Sequence, residues 1–143
     1  MRYENFNKFY IIEFEHDEEF IELFKRFLLS FNIQSGFFIG SGNFNHVKLS
    51  FYDPKIKSGV IKPVTKLLSV SSMIGTITSK DLRPIIDCNV VLNDSDFNTI
   101  GGKLISGIVE TKLEVIVIKF DELIERIYDD ELNLFRFLTT KTF

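Results

Sequence analysis

The sequence predicts an α+β fold: an antiparallel sheet of about six to seven strands with one main helix after the first strand and a short C-terminal helix. Three observations lead there. A stretch with a helical apolar repeat lies close to the start of the chain. From Gln34 onward the apolar period changes to two and holds for most of the sequence. The period-two runs are separated by Gly, Pro, Asn and Asp clusters that suit sheet turns. One helix followed by consecutive strands lacks the alternation that a parallel sheet needs, so a meander or Greek key is expected.

Lys8–Glu15 (KFYIIEFE) is rich in aromatic and β-branched residues, with Tyr10, Ile12 and Phe14 alternating against Ile11, Glu13 and Glu15, which predicts an opening strand. Asp17 offers an N-cap oxygen, Glu18 and Glu19 suit the positive end of a helix, and Phe20, Phe24, Phe27, Leu28 and Phe31 recur at helical spacing. Asn32 suits a left-handed terminator. Turns are expected at Gly40-Ser41-Gly42, Asp53-Pro54, Lys57-Ser58-Gly59, Lys80-Asp81, Asn93-Asp94 and Gly101-Gly102. Val47, Leu49 and Phe51 share one strand face against Lys48, Ser50 and Tyr52, and Cys88, Val90 and Leu92 share another against Asp87 and Asn89. Thr111–Lys119 (TKLEVIVIK) is strongly strand-prone. Asp121 with Leu123, Ile124 and Ile127 predicts a short second helix ending near Asp129-Asp130, and the tail beyond fits neither period, as an irregular covering segment would.

A chain of 143 residues supports one domain, 1–143, and 45% hydrophobic residues with 16 phenylalanines exceed what a disordered chain carries. No apolar run approaches the ~20 residues of a membrane-spanning helix, and the start lacks the regions of a signal peptide, so a cytoplasmic protein without a membrane partner is expected. Cys88 is the only cysteine, which excludes an intramolecular disulfide and a thiolate metal cluster within one chain. The net charge of −3 argues against a chain devoted wholly to nucleic acid, yet Lys48, Lys55, Lys57, Lys62, Lys66, Lys80 and Arg83 form a basic segment broken only by Asp53 and Asp81. These lysines are either solvated positions scattered over strands and loops or one patch for a polyanion.

Four segments carry a family resemblance. They are Ile39-Gly40-Ser41-Gly42-Asn43 with Leu49–Asp53; Ser72-Met73-Ile74-Gly75-Thr76-Ile77; Arg83–Leu92; and Gly101-Gly102-Lys103-Leu104-Ile105-Ser106-Gly107-Ile108-Val109 followed by Glu114-Val115. In this order they resemble the plant-and-prokaryote-conserved (PPC) domain, found alone in archaea and bacteria and joined to AT-hooks in plant DNA-binding proteins. The resemblance covers about residues 8–119 and leaves 120–143 as an extension. It implies an antiparallel sheet flanked by a helix and a homotrimeric assembly. Where resembling proteins carry three histidines for a metal, this chain has Asp87, Asn89 and Lys103. A lysine ammonium opposes a divalent cation and an asparagine carbonyl is a weak zinc ligand, so neither metal nor other cofactor is expected. If the family geometry holds, Lys103 takes roughly the place of the cation and pairs with Asp87; otherwise both point to solvent. Glu13 and Asp17 also depart from the arginine and glycine frequent in the family, and no AT-hook core occurs.

No catalytic constellation emerges. His16 and His46 lack a second His or Cys at ligand spacing and are expected to be solvated; Cys88, in phase with Val90 and Leu92, reads as a buried inert thiol. Ser41 lacks the context of a nucleophile elbow and reads as a turn, and Gly101-Gly102, which precede a strand and not a helix, read as a turn or bulge. The leading expectation is a non-enzymatic homotrimeric regulatory module with DNA as partner through Lys48, Lys55, Lys57, Lys62 and Lys66. The alternative is a binding protein or vestigial enzyme for a small polar or anionic ligand, with a pocket at Asp87, Asn89, Lys103 and Arg83.

Overall fold

The aromatic run Phe9–Glu15 (β2) buries Tyr10, Ile12 and Phe14 on one side and turns Ile11, Glu13 and Glu15 to the other, as its alternation predicts. A computed structural model describes all residues, Met1–Phe143. Ahead of β2, Arg2–Phe6 (β1) pairs with it as an antiparallel hairpin turned at Asn7, which takes a left-handed φ of 69°. The main helix therefore follows the second strand and not the first. As an edge strand, β1 exposes every residue and so carries no burial pattern in its sequence.

The helix runs Phe20–Ser30 (α1) and buries Phe20, Phe24, Phe27 and Leu28. Its cap is Glu19 and not Asp17. The Glu19 carboxylate accepts from the backbone N–H groups of Glu22 at 2.7 Å and Gly107 at 2.8 Å. Asp17 instead adopts φ 64° and donates its N–H to the Val109 carbonyl, tying the helix approach to the sheet. At the far end Asn32 takes φ 50°, the expected left-handed stop.

Four long strands complete the main sheet: Gly36–Asp53 (β3), Ser58–Lys80 (β4), Arg83–Asn93 (β5) and Thr99–Lys119 (β6). The order is β1-β2-β6-β3-β4-β5, all antiparallel, and β5 pairs back onto β6, so β3, β4, β5 and β6 close into a ring. Chain reversals fall at Pro54–Lys57, Asp81–Leu82 and Asp94–Asn98, next to the expected Asp53-Pro54, Lys80-Asp81 and Asn93-Asp94. Gly40-Ser41-Gly42 and Gly101-Gly102 are not turns. Both lie inside strands, and the first sits where the β3–β4 register slips between Ile39 and Asn43 and bends the strand. Gly42 holds φ 150°, and a side chain there would strike the Lys112 carbonyl.

The core is one cluster in which α1 lies against the sheet, its Phe24 ring edge-on to Phe14 and Phe38, with centroids 6.3 Å and 5.0 Å away. Gly75 leaves room for the Phe38 ring, which a methyl group at that position would meet.

Past β6 no second helix forms. Arg126–Asp129 and Leu134–Phe137, the seventh and eighth strands (β7 and β8), make a separate hairpin, where a short helix and an irregular tail were expected. The physical reason is its turn: Asp129 Oδ1 accepts from the N–H groups of Glu131 and Leu132, and Asn133 takes φ 58°. The segment is pinned to the sheet by Ser79 N–H to the Ile124 carbonyl at 2.8 Å and by Ile124 N–H to Ser35 Oγ at 2.7 Å. No helix is long and apolar enough to cross a membrane, a statement that does not extend to strands.

Candidate functional site

Asp87 and Asn89 lie two residues apart on β5 and so share a face, the one turned away from α1. The register sets Asp87 beside Thr76 on β4 and Asn89 between Ile74 on β4 and Lys103 on β6. Lys103 Nζ lies 3.6 Å from Asp87 Oδ1. A second cation reaches the same carboxylate, with Arg126 Nη2 at 3.6 Å from Oδ2. Two positive charges thus share one negative charge, with Asp87 and Lys103 partly open to solvent and the Arg126 side chain only 10% exposed.

Arg126 is the member of this group that sequence reading misses, because it sits in the segment expected to be helical. Its Nε donates to Thr78 Oγ1 at 2.8 Å, and its guanidinium lies 4.6 Å from the Phe137 ring centre. The strand-like pattern of Ile127-Tyr128 and Leu134-Phe135-Arg136-Phe137 around an Asp/Asn-rich turn is the signal that could have placed it. Arg83 does not join the group. It shares the strand face of Asp87 but stands four residues away at the β4–β5 turn, ~13 Å along the strand.

The five lysines do not share one face. Lys48 pairs in register with Pro63 and lies on one side of the β3–β4 arm, Lys62 pairs with Leu49 and lies on the other, and Lys55 and Lys57 occupy the tip. Lys66 Nζ is held 2.8 Å from Asp94 Oδ2, and this contact, ahead of hydrogen bonds from Asn98 and Asp96, lowers the Asp94 carboxyl to about 2. Lys48, Lys55, Lys57 and Lys62 are exposed and engage no carboxylate. Lys55 and Lys57 lie where the arm outgrows its neighbours: past Ser50, which pairs with Lys103, β3 has only β4 beside it, whereas Lys48 still pairs with Ser106 of β6.

The remaining reactive groups are engaged or enclosed. Cys88 is buried, and burial, reinforced by Asp87, pushes its thiol up to about 12, so it supplies no thiolate near neutrality. His16 is exposed; its ring Nδ1 meets the Glu110 carbonyl, which with Asp17 raises its pKa. His46 is only half solvated and contacts Thr65 Oγ1 at 2.7 Å. Ser41 lies in the strand interior of β3, in register with Glu114 on β6. No group of three His, Cys, Asp or Glu side chains is placed to hold a metal ion. A recess of about 580 Å³ lies not at Asp87 but over Ile11, Glu13, Ile39, Ser41, Glu114 and Ile116, toward the β1–β2 edge of the same sheet face.

Residues 1–121 match the family model described as the Plants and Prokaryotes Conserved (PCC) domain. Among solved structures the chain is similar to a candidate DNA-binding protein of Bacteroides thetaiotaomicron, with 25% identity, TM-score 0.92 and 95% of each chain covered. It is also similar to a metal-containing protein of Archaeoglobus fulgidus, with 23% identity, TM-score 0.83 and coverage of 97% of this chain and 99% of that one. A PPC protein of Pyrococcus horikoshii shares 21% identity at TM-score 0.85, with 99% of this chain and 97% of that chain covered. No curated protein matches.

Proposed function

The chain belongs to the Plants and Prokaryotes Conserved domain family, and from that premise we propose that it is a non-enzymatic homotrimeric binding module whose partner is DNA and whose metal site has been lost. The observation that carries the DNA reading is the β3–β4 arm: Lys48, Lys55, Lys57 and Lys62 stand exposed and unneutralised along it, with Lys55 and Lys57 at the tip that extends past β6. A charge not spent inside the protein remains available for phosphate, and a trimer would present the arm three times. The name carried by the Bacteroides relative agrees with this reading. Electrophoretic mobility shift with mixed duplex DNA at low salt tests it. Wild-type protein is expected to bind with an affinity that falls as salt rises, and replacing the four lysines by alanine should abolish the shift; no shift by wild type at low salt would overturn it.

The residues at Asp87 do not fit a divalent metal. The carboxylate already faces two permanent cations, Lys103 has no lone pair in its charged form, and Asn89 offers one weak carbonyl donor. Stoichiometric zinc should leave the melting temperature unchanged, and a rise would restore the metal site to consideration.

The surplus positive charge at Asp87 favours one second reading, a small anionic ligand held by Lys103 and Asn89. Here a thermal-shift screen of anionic metabolites is expected to give hits that vanish in Lys103→Ala, and a flat screen would discard the reading.

A further inference from the structure

The apex of the β3–β4 arm carries apolar side chains that the fold does not use. Its turn is Pro54-Lys55-Ile56-Lys57: Asp53 Oδ1 accepts from the Lys55 N–H at 2.8 Å, and Lys57 takes the left-handed φ of 50° that closes the reversal. Turn chemistry accounts for Asp53, Pro54 and Lys57 but not for Ile56, which stands 61% exposed at the apex between two lysines. Just behind it Phe51 and Val60 are register partners and share a face, and both stay open to solvent, Phe51 by 69%. Three large apolar side chains gathered at the end of one projection mark a contact with something outside the chain.

The charge around the apex selects the partner. Lys55 and Lys57 flank Ile56, while Lys62 and Lys48 lie further back on opposite faces of the ribbon. Asp53 is the one acidic residue from Lys48 to Lys62, and its carboxylate is held in the turn. A flat anionic surface would be met by lysines on a single face. Lysines on both faces and at the tip suit a ribbon with phosphates on either side of it, as in a groove of duplex DNA. A bilayer would have to admit Lys55 and Lys57 alongside Ile56, whereas a base step takes the apolar residue and leaves both ammonium groups at the phosphates. The arm is also braced for such a contact. Tyr52, opposite Gly59 on the ribbon, donates its hydroxyl to the Leu132 carbonyl at 2.6 Å and so ties the strands that carry the apex to the β7–β8 turn.

We propose that the apex of this arm enters the minor groove of duplex DNA and that Ile56 wedges between two neighbouring base pairs, with Lys55 and Lys57 on the phosphates at either side, so that the protein bends the DNA it binds. The proposal rests on the DNA reading above and adds to it how the duplex is held and deformed. The minor groove, ~6 Å wide, excludes a helix but admits a turn once an apolar wedge unstacks a step and opens it. Phe51 and Val60 then face the sugars of the opened groove. Unstacking costs least at flexible pyrimidine–purine steps such as TA, so the arm selects sequence by deformability and needs no hydrogen bond to a base edge. That matches an apex whose polar side chains are lysines, which serve phosphates.

Energy transfer between dyes on the two ends of a short duplex, read at saturating protein and low salt, tests it. Wild type should raise the transfer to that of a bend of about 20–90°, and should bind a duplex with a central TA step several-fold more tightly than an uninterrupted A-tract. Ile56→Ala should still bind but leave the transfer at the value of free DNA, and Ile56→Met, which restores an apolar wedge, should return it. Lys55→Ala/Lys57→Ala should weaken binding and lower the salt slope by about two. Wild type that binds no duplex would overturn the DNA reading and this proposal with it; if it then sediments with phosphatidylserine vesicles through Ile56, the arm belongs to a lipid surface. Wild type that binds without bending, or Ile56→Ala that bends as wild type does, overturns the wedge and leaves the DNA reading standing. A bend lost in Ile56→Ala and not restored by Ile56→Met overturns it equally, and an unchanged salt slope in the double lysine variant overturns the seating of Lys55 and Lys57 on phosphate.

Discussion

On the helix side of the sheet Tyr10, Ile12, Phe14, Phe38, Val115 and Val117 are buried beneath Phe20, Phe24 and Phe27, whereas the reverse side leaves Ile11, Ile39, Ile74 and Ile116 half in solvent. Both sides draw on the same residue types, and successive residues of the same strands supply them. The difference is that one side has a second layer within the chain and the other does not. A strand apolar on both faces is the composition of a sheet covered twice, and only one cover is encoded here.

The largest expected effect comes from opening the covered side. Phe24→Ala should cost about 3–5 kcal/mol in chemical denaturation, since its ring is fully enclosed and packs on Phe14, Phe20 and Phe38. A loss below 1 kcal/mol would show that α1 does not bear on the sheet as described.

A smaller effect distinguishes the two cations at Asp87. Arg126→Ala should cost about 1–3 kcal/mol in chemical denaturation because it strips Thr78 and Asp87 of a nearly enclosed partner. Lys103→Ala, half exposed, should cost no more than about 1 kcal/mol. Equal losses would contradict the view that Arg126 anchors the C-terminal hairpin while Lys103 is kept for something outside the fold.

The smallest effect is at Asp94. Its folded pKa of about 2 lies below the ordinary 3.8, so its contribution to stability is fully present above 3.8 and is lost as pH falls through about 2. Asp94→Asn should flatten that part of an acid denaturation curve, and Lys66→Ala should do so in part; unchanged curves for both would remove the Lys66 contact.

Residues that alternate across a buried face were legible in the sequence: Tyr10, Ile12 and Phe14, and Cys88, Val90 and Leu92, are buried in the phase their spacing predicts. Elements without such a face were not. The edge strand β1 has no buried residue, and Gly40-Ser41-Gly42 has turn composition but serves as a bend within β3. The candidate site was legible to the same extent. Asp87, Asn89 and Lys103 were brought together by strand register, but Arg126 arrives from a hairpin 39 positions along the chain, and nothing local to Asp87 encodes that approach. Nor does composition reveal that the five lysines divide between two faces and a tip, because that depends on the pairing of β3 with β4.

The contrast between the two faces is tested most directly by a single cysteine. Cys88 is enclosed and its thiol is held at about 12, so it is a silent background for maleimide labelling at pH 7. Ile39→Cys should label many times more slowly than Lys62→Cys on the open arm when the protein is concentrated enough to assemble, and should approach that rate on dilution. Equal rates at every concentration would mean that the isoleucine face stays open to water, and would contradict the account.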